Sequence, residues 1–211
     1  MYLRLVALLS VLLIVGCHSS GANAQTGQPL APPVPEGMSV AIFAGGCFWC
    51  MEGAFEDIEG VSEVLSGFTG GTEANPTYHE VSYGQTSHTE AVWVVYDPSA
   101  ITYSQLLDVY WRSMDPTDLG GQFADRGTQY RPAIFVANEE ERAAAEQSKQ
   151  ALQESGVFDE PIVVPIVDAG PFYVAEDYHQ NYFRTNSAHY QRYREASGRG
   201  PFLRAHWSDA H

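Results

Sequence analysis

Apolar residues recur at two periods along this chain, and the switches between them mark out its elements. The run SVAIFAGG (39–46) is short, apolar and closed by paired glycines, which predicts a strand. In FWCMEGAFEDI (48–58), Trp49, Phe55 and Ile58 take helical spacing with acids on other positions. VSEVLSGFTGG (61–71) predicts a second strand ending in a glycine turn, followed by an irregular polar segment. TEAVWVVYDP (89–98) predicts a third strand, stopped by Asp97 and Pro98. TYSQLLDVYWRSM (102–114) predicts a helix with Leu106, Leu107, Tyr110 and Trp111 toward a core.

The second half continues the alternation. Residues 115–130 are polar and read as a long loop of the kind that usually has a functional reason. A strand is expected over 130–138, and EEERAAAEQSKQALQES (139–155) is the clearest helix, stopped by Gly156. A strand over 161–170, at an edge because of Pro165, and a short aromatic helix over 175–186 complete the reading. Interleaved strands and helices, with one strand following another directly, predict an α+β fold with helices packed on a mixed sheet. No internal repeat is visible.

Composition narrows the partners. Eleven basic residues face 26 acidic ones, a formal net charge of -15, which opposes binding to nucleic acid or to an anionic membrane surface by charge alone. The first residues stand apart. Arg4, an apolar run from Leu5 to Val15 and a small residue before Cys17 have the architecture of an export signal. The run is shorter than the roughly 20 apolar residues that cross a bilayer. Its ending, LIVGC, resembles the lipobox of bacterial lipoproteins, which implies removal of residues 1–16 and acylation of Cys17. Residues 17–38, rich in Ser, Gly, Gln and Pro, then read as a lipid-bearing cysteine and a disordered tether. That places the domain in the cell envelope, lipid-anchored and facing outside the cytoplasm, on the periplasmic side if the cell is Gram-negative.

Two of the three cysteines, Cys47 and Cys50, flank a Phe-Trp pair at the corner between the first strand and helix. A helix start favours an ionised sulfur at Cys47, and Cys50 is within reach one turn on. Three readings compete. A metal clip would need histidines, and His79, His88, His179 and His189 show no compact ligand spacing with the pair. A structural bridge over so short a loop constrains little of the unfolded chain. Redox chemistry is the better default.

The stretch GGCFWCMEGAFEDIEGV is similar to the signature of the A-type peptide methionine sulfoxide reductases. The similarity continues through GFTGG (67–71), NPTYHEV (75–81), SHTEAVWVVYDP (87–98), DRGTQYRPAIF (125–135) and AEDYHQNYF (175–183). The resemblance implies a ferredoxin-like two-layer sandwich, with the reductase domain over 39–195 and a C-terminal tail over 196–211. It implies Cys47 as the nucleophile that attacks the sulfoxide sulfur, Phe48 and Trp49 as the pocket for the methyl group, and Glu90 as the acid that protonates the oxygen. Tyr78 and Tyr130 match tyrosines that hydrogen-bond that oxygen, and Asp125 a carboxylate that orients the site. Arg126 and His179 fall in matching segments as structural support.

On the same resemblance, the substrates are oxidised proteins and free methionine sulfoxide, with selectivity for the S epimer at sulfur. The reductant is a thioredoxin-like dithiol. No cofactor or metal is implied, since both electrons arrive through thiols. Many members place resolving cysteines in a C-terminal tail, but this tail has none. Cys50, shared with relatives of the GCFWC pattern, is therefore the natural resolver, closing a Cys47–Cys50 disulfide. A general thiol-disulfide oxidoreductase is the alternative, and it would need the two cysteines but not Glu90.

Overall fold

The computed structural model of the chain describes residues 30–207. The export segment 1–16, Cys17 and the tether as far as residue 29 lie outside the described residues. In chain order the elements are β1 (Ser39–Ala44), α1 (Phe48–Phe55), β2 (Val61–Thr69), α2 (Tyr78–Ser82), β3 (Thr89–Tyr96) and α3 (Tyr103–Trp111). There follow β4 (Gly121–Gln122), β5 (Asp125–Arg126), β6 (Ala133–Val136), α4 (Glu139–Ser155), β7 (Ile166–Asp168) and β8 (Tyr173–Val174). Three helices close the chain: α5 (Tyr182–Thr185), α6 (Ser187–Ala196) and α7 (Arg199–His206).

Six strands form one sheet in the order β7-β6-β1-β3-β2-β8, and β4 pairs with β5 in a separate ribbon. The sheet is mixed, because β6 and β7 run parallel while the other pairs are antiparallel. Its centre, β6-β1-β3-β2, with α1 between the first two strands in sequence and α3 before the last, is the βαββαβ arrangement of a ferredoxin-like sandwich. The expected α+β fold is the one observed.

Strand alternation divides the core. Ala41 and Phe43 of β1 pack with Val92 and Val94 of β3 against the helices, where Phe43 is fully buried and stacks on Phe55 and Tyr110 at centroid distances of 5.3 and 5.0 Å. Ile42 and Ala44 turn to the opposite face, with Ala91, Ala133, Phe135 and Phe172. Burying a ring such as Phe43 stabilises the fold by about 1.5–3 kcal/mol, so this period-two register fixes which face α1 covers. The α4 helix begins where Asn138 caps the Glu141 N–H, with three acids in its first turn. It ends at Gly156, whose φ of 68° suits a left-handed cap.

Elsewhere the chain is more structured than its pattern suggests. The segment 115–130 contains the β4–β5 ribbon and a 3-10 turn at Thr128–Tyr130. These are held by polar bonds such as Arg126 Nη1 to Asp118 Oδ2 at 2.5 Å, which an apolar period cannot reveal. Over 161–170 only Ile166–Asp168 pair, at the sheet edge. The helix read over 175–186 is broken into a 3-10 turn (Asp177–His179) and α5, because Asn181 adopts a φ of 53°. Between them the Gln180 side chain bonds both backbone groups of Ser66 and the Ala175 carbonyl. Within 196–211, residues 199–206 form α7. Of the segment 17–38, Leu30 bridges Tyr173, and the Ala31 N–H donates to the Phe172 carbonyl at 2.9 Å. Among the described residues no helix is long and apolar enough to cross a membrane.

Candidate active site

The turn that delivers Cys47 is built from glycines for steric reasons. Gly46 sits at a φ of 85°, and a Cβ there would lie 2.5 Å from Gln122 Cβ; one at Gly45 would lie 2.5 Å from Met51 Sδ. The buried guanidinium of Arg199 locks this turn, donating from Nη2 to the Gly45 carbonyl at 2.8 Å and from Nη1 to the Ser113 carbonyl at 2.5 Å. Cys47 then takes the N-cap position of α1, and its carbonyl accepts from the N–H groups of Cys50 and Met51.

Both cysteines are reduced and buried, at 6% and 4% exposure. No side-chain cap bond ties the Cys47 sulfur to the helix. Burial pushes its pKa well up, as do a hydrogen bond to Cys50, the Cys50 charge, and the carboxylates of Glu90 and Asp125. The Cys50 pKa is drawn down, chiefly because the Cys47 thiol donates to its sulfur, with Arg199 adding to the effect. The sequence-based expectation of an ionised Cys47 in the resting site is therefore corrected: burial, the bond to Cys50 and like charge all favour the thiol.

Glu90 rises from β3, paired to Phe68 of β2, and is 2% exposed. Its Oε2 accepts the N–H of Phe48 at 3.0 Å. Burial raises its pKa to about 8 against that bond, helped by the nearby charges of Asp125 and Cys50. At neutral pH it is a carboxylic acid with a proton to give.

Around these two groups the fold closes a hollow of about 150 Å³ lined by Cys47, Phe48, Trp49, Tyr78, Glu90, Asp125, Tyr130 and Tyr193. Tyr78 opens α2, which is fixed by a capping box between Thr77 and Glu80. Tyr130 ends the 3-10 turn and Asp125 comes from β5. Burial raises the pKa of Tyr78 and Tyr130, so both remain phenol donors. Burial also raises that of Asp125, and the Tyr193 hydroxyl, which donates to Asp125 Oδ2, opposes the rise.

The aromatic wall is oriented from behind. Phe48 is almost fully buried and belongs to the core as well as to the hollow. The Trp49 ring stacks on Tyr182 at 3.9 Å and meets Tyr193 edge-on, while its Nε1 donates to His179 Nδ1 at 3.2 Å. Burial lowers the His179 pKa to about 4, which keeps the ring neutral and able to accept that bond. Arg126 is exposed and paired with Asp118, away from the hollow's lining.

All eight candidate catalytic and substrate-binding positions except Cys50 line one hollow, and Cys50 adjoins Cys47 beneath it. Two residues were missed by the sequence reading. Tyr193 lies in the same wall, and Arg199 holds the turn from a segment set apart as a tail. Neither stands out among 12 tyrosines and scattered arginines.

Comparison with known proteins finds relatives of one kind. The family model described as peptide methionine sulfoxide reductase matches residues 39–211. A peptide methionine sulfoxide reductase MsrA of Bacillus pumilus is 52% identical over 174 residues, covering 82% of this chain and 98% of its own. That of Bacillus subtilis is 52% identical over 172 residues, covering 82% and 97%. Among solved structures, methionine sulfoxide reductase A of Corynebacterium diphtheriae is similar with a TM-score of 0.65 at 34% identity, over 77% of this chain and 87% of that one. Mxr1 of Saccharomyces cerevisiae in its reduced form has a TM-score of 0.68 at 28% identity, over 74% and 90%.

Proposed function

This chain belongs to the peptide methionine sulfoxide reductase family, and from that premise we propose how its own residues reduce the S epimer of methionine sulfoxide, protein-bound or free. The observation that carries the proposal is the enclosure of a thiol, Cys47, and a carboxylic acid that keeps its proton to about pH 8, Glu90, in one aromatic-walled hollow.

The thiomethyl group of the substrate lies against Phe48 and Trp49, a contact of sulfur with aromatic faces that is favourable. The sulfoxide oxygen points to Glu90, Tyr78 and Tyr130. Asp125, held by Tyr193, orients this polar side. The Cys47 sulfur attacks the substrate sulfur while Glu90 delivers its proton to the oxygen, and charge developing there is met by the two phenols. The Cys47 thiol proton has an acceptor in the Cys50 sulfur. Oxygen passes to Cys47 as a sulfenic acid and methionine leaves. Cys50 then displaces water from that sulfenic acid, giving the Cys47–Cys50 disulfide. A thioredoxin-like dithiol returns both sulfurs to thiols by exchange, becoming a disulfide itself.

The N-terminal sequence supports a finer reading of where this occurs. Arg4, the apolar stretch to Val15 and LIVGC favour cleavage before Cys17 and acylation of that cysteine, with residues 18–38 as tether, 39–195 as the working domain and 196–211 as its C-terminal segment. The protein then repairs oxidised methionines in envelope or secreted proteins, and its reductant must act outside the cytoplasm. Mass spectrometry of the mature N-terminus tests the anchor: an unmodified first residue other than Cys17 would refute it.

The activity itself is tested by assaying both sulfoxide epimers with dithiothreitol, alongside Cys47→Ser. A folded wild-type protein that reduces neither epimer, or a Cys47→Ser protein that reduces one normally, overturns the reading.

A further inference from the structure

The three groups turned toward the sulfoxide oxygen come from three elements: Tyr78 from α2, Glu90 from β3, and Tyr130 from the 3-10 turn Thr128–Tyr130. Their distances from one oxygen therefore depend on how those elements are joined outside the hollow. β3 lies inside the sheet, between β1 and β2. The other two lack such support. α2 is a single turn that fully buries only Val81, and the 3-10 turn fully buries no side chain, so apolar packing alone holds each weakly.

Gln129 joins all three. Its side-chain amide donates from Nε2 to the carbonyl of Ser82, the last residue of α2, at 3.0 Å. Its own carbonyl accepts at 3.1 Å from the hydroxyl of Thr89, a fully buried residue that precedes Glu90 on β3. The same hydroxyl lies 3.1 Å from the Arg131 carbonyl, so its one proton is shared between the residues on either side of Tyr130. The Gln129 amide has a narrow seat: a Cβ at Gly127, where φ is 122°, would lie 2.4 Å from Gln129 Oε1. Arg131 closes the frame, donating to the carbonyls of Thr128 at 2.7 Å, Ser87 at 3.0 Å and Gly70 at 3.2 Å. Neither Gln129 nor Thr89 is among the residues lining the hollow.

We propose that Gln129 is a positioning residue for the reduction: through Ser82 and Thr89 it sets the Tyr78 and Tyr130 phenols against Glu90, so that all three meet one oxygen. This rests on the reductase reading, in which these groups face that oxygen. Charge grows there only as the S–O bond breaks, so donors displaced by about 1 Å cost far more in rate than in binding. The wall for the thiomethyl group is held separately, Phe48 and Trp49 by α1 and Trp49 also by Tyr182 and His179. Loss of the Gln129 bonds should therefore slow oxygen transfer and leave substrate affinity almost unchanged.

The test follows methionine release from the S epimer in a single turnover at several substrate concentrations, which separates the limiting rate from half-saturation. Gln129→Met keeps the length of the side chain and removes the donor. Its limiting rate should fall about tenfold, with half-saturation within about twofold of wild type. Thr89→Val removes the hydroxyl and keeps the shape, with a like fall, and Thr89→Ser should recover the rate by restoring the donor. The same changes are then made in a protein carrying both Tyr78→Phe and Tyr130→Phe. With no phenol left to aim, Gln129→Met and Thr89→Val should each cost about twofold or less. A Gln129→Met protein with native circular dichroism and the wild-type rate overturns the proposal, as does a loss that persists in full without the phenols. Should Gln129→Met fail to fold, the Thr89 variants decide by the same two criteria. The protein lacking both phenols checks the reading beneath. If it reduces sulfoxide at the wild-type rate, the phenols have no role and the proposal falls with them; if it is slowed while Gln129→Met is not, the proposal falls alone.

Discussion

The N–H of Phe48 donates to Oε2 of Glu90 at 3.0 Å, tying the acid on β3 to the residue that follows the nucleophile on α1. One bond thus fixes the distance between the proton to be given and the sulfur that attacks. It also lowers the Glu90 pKa, and burial overrides it, leaving a value of about 8.

Glu90→Gln keeps the acceptor for Phe48 but has no proton to deliver. Reduction of the S epimer in a single turnover should slow by roughly 10²–10⁴-fold. The wild-type rate should fall as pH rises through about 8, and the variant should lack that limb. Stability falls with rising pH as well, from a lower starting point. An acid whose folded pKa exceeds its ordinary 4.5 stabilises the folded protein fully below that value, and the contribution is lost as pH rises toward 8. Thermal unfolding should therefore place the variant close to wild type at pH 4 and above it at pH 9, by an amount on the order of a few kcal/mol. Equal unfolding differences at the two pH values would contradict the buried-acid account.

Cys50→Ser separates oxygen transfer from recycling. One equivalent of methionine per protein should appear at a near wild-type amplitude, with a sulfenic acid on Cys47 that a dimedone-type probe labels and mass spectrometry locates. Cys47→Ser should show neither product nor label. Formation of a normal intramolecular disulfide in the Cys50→Ser protein would rule out Cys50 as resolver.

The sequence carried the core strands and the corner between them because those depend on local alternation and on glycine. In β1, Ala41 and Phe43 go one way and Ile42 and Ala44 the other, as the pattern requires. The α2 helix was legible in principle, since Thr77 and Glu80 form a capping box, but it is a single turn in a polar segment. The α6 helix fully buries only Tyr190, so no apolar stripe announces it. Tyr193 and Arg199 act on partners 68 and 86 residues away, Asp125 and Ser113, and no spacing within the chain records such a pairing. The acidity of Cys47 follows the same rule: the helix start is local, while the burial that chiefly raises its pKa, and the lesser effects of Glu90 and Asp125, come from elements distant in the chain.

Tyr193→Phe removes the hydroxyl that donates to Asp125. That bond opposes the effect of burial, so without it the Asp125 pKa climbs further and the carboxyl carries less charge at any given pH. The Asp125 charge helps to hold the Glu90 proton on, so the alkaline limb of the rate should shift below its wild-type position near pH 8. Loss of one hydrogen bond to a charged group, about 1.5–3 kcal/mol at most, sets the expected fall in kcat/KM at roughly tenfold or somewhat more. A pH profile unchanged in midpoint would show that Tyr193 acts only by packing on Trp49.

Arg199→Met tests whether α7 is part of the working domain. The guanidinium is 2% exposed and donates to the Gly45 and Ser113 carbonyls, so methionine leaves two buried acceptors without donors. At roughly 1–3 kcal/mol for each unsatisfied group, urea unfolding should show a loss of about 3 kcal/mol with an unchanged slope. The same change frees the turn at Gly45 and Gly46 that aims Cys47, so kcat should fall more than KM rises. Arg199→Lys, which restores a cation but not the planar fork that spans both carbonyls, should recover only part of each loss. A methionine variant with wild-type stability and kcat would mean that the turn is held by its glycines and Gln122 alone.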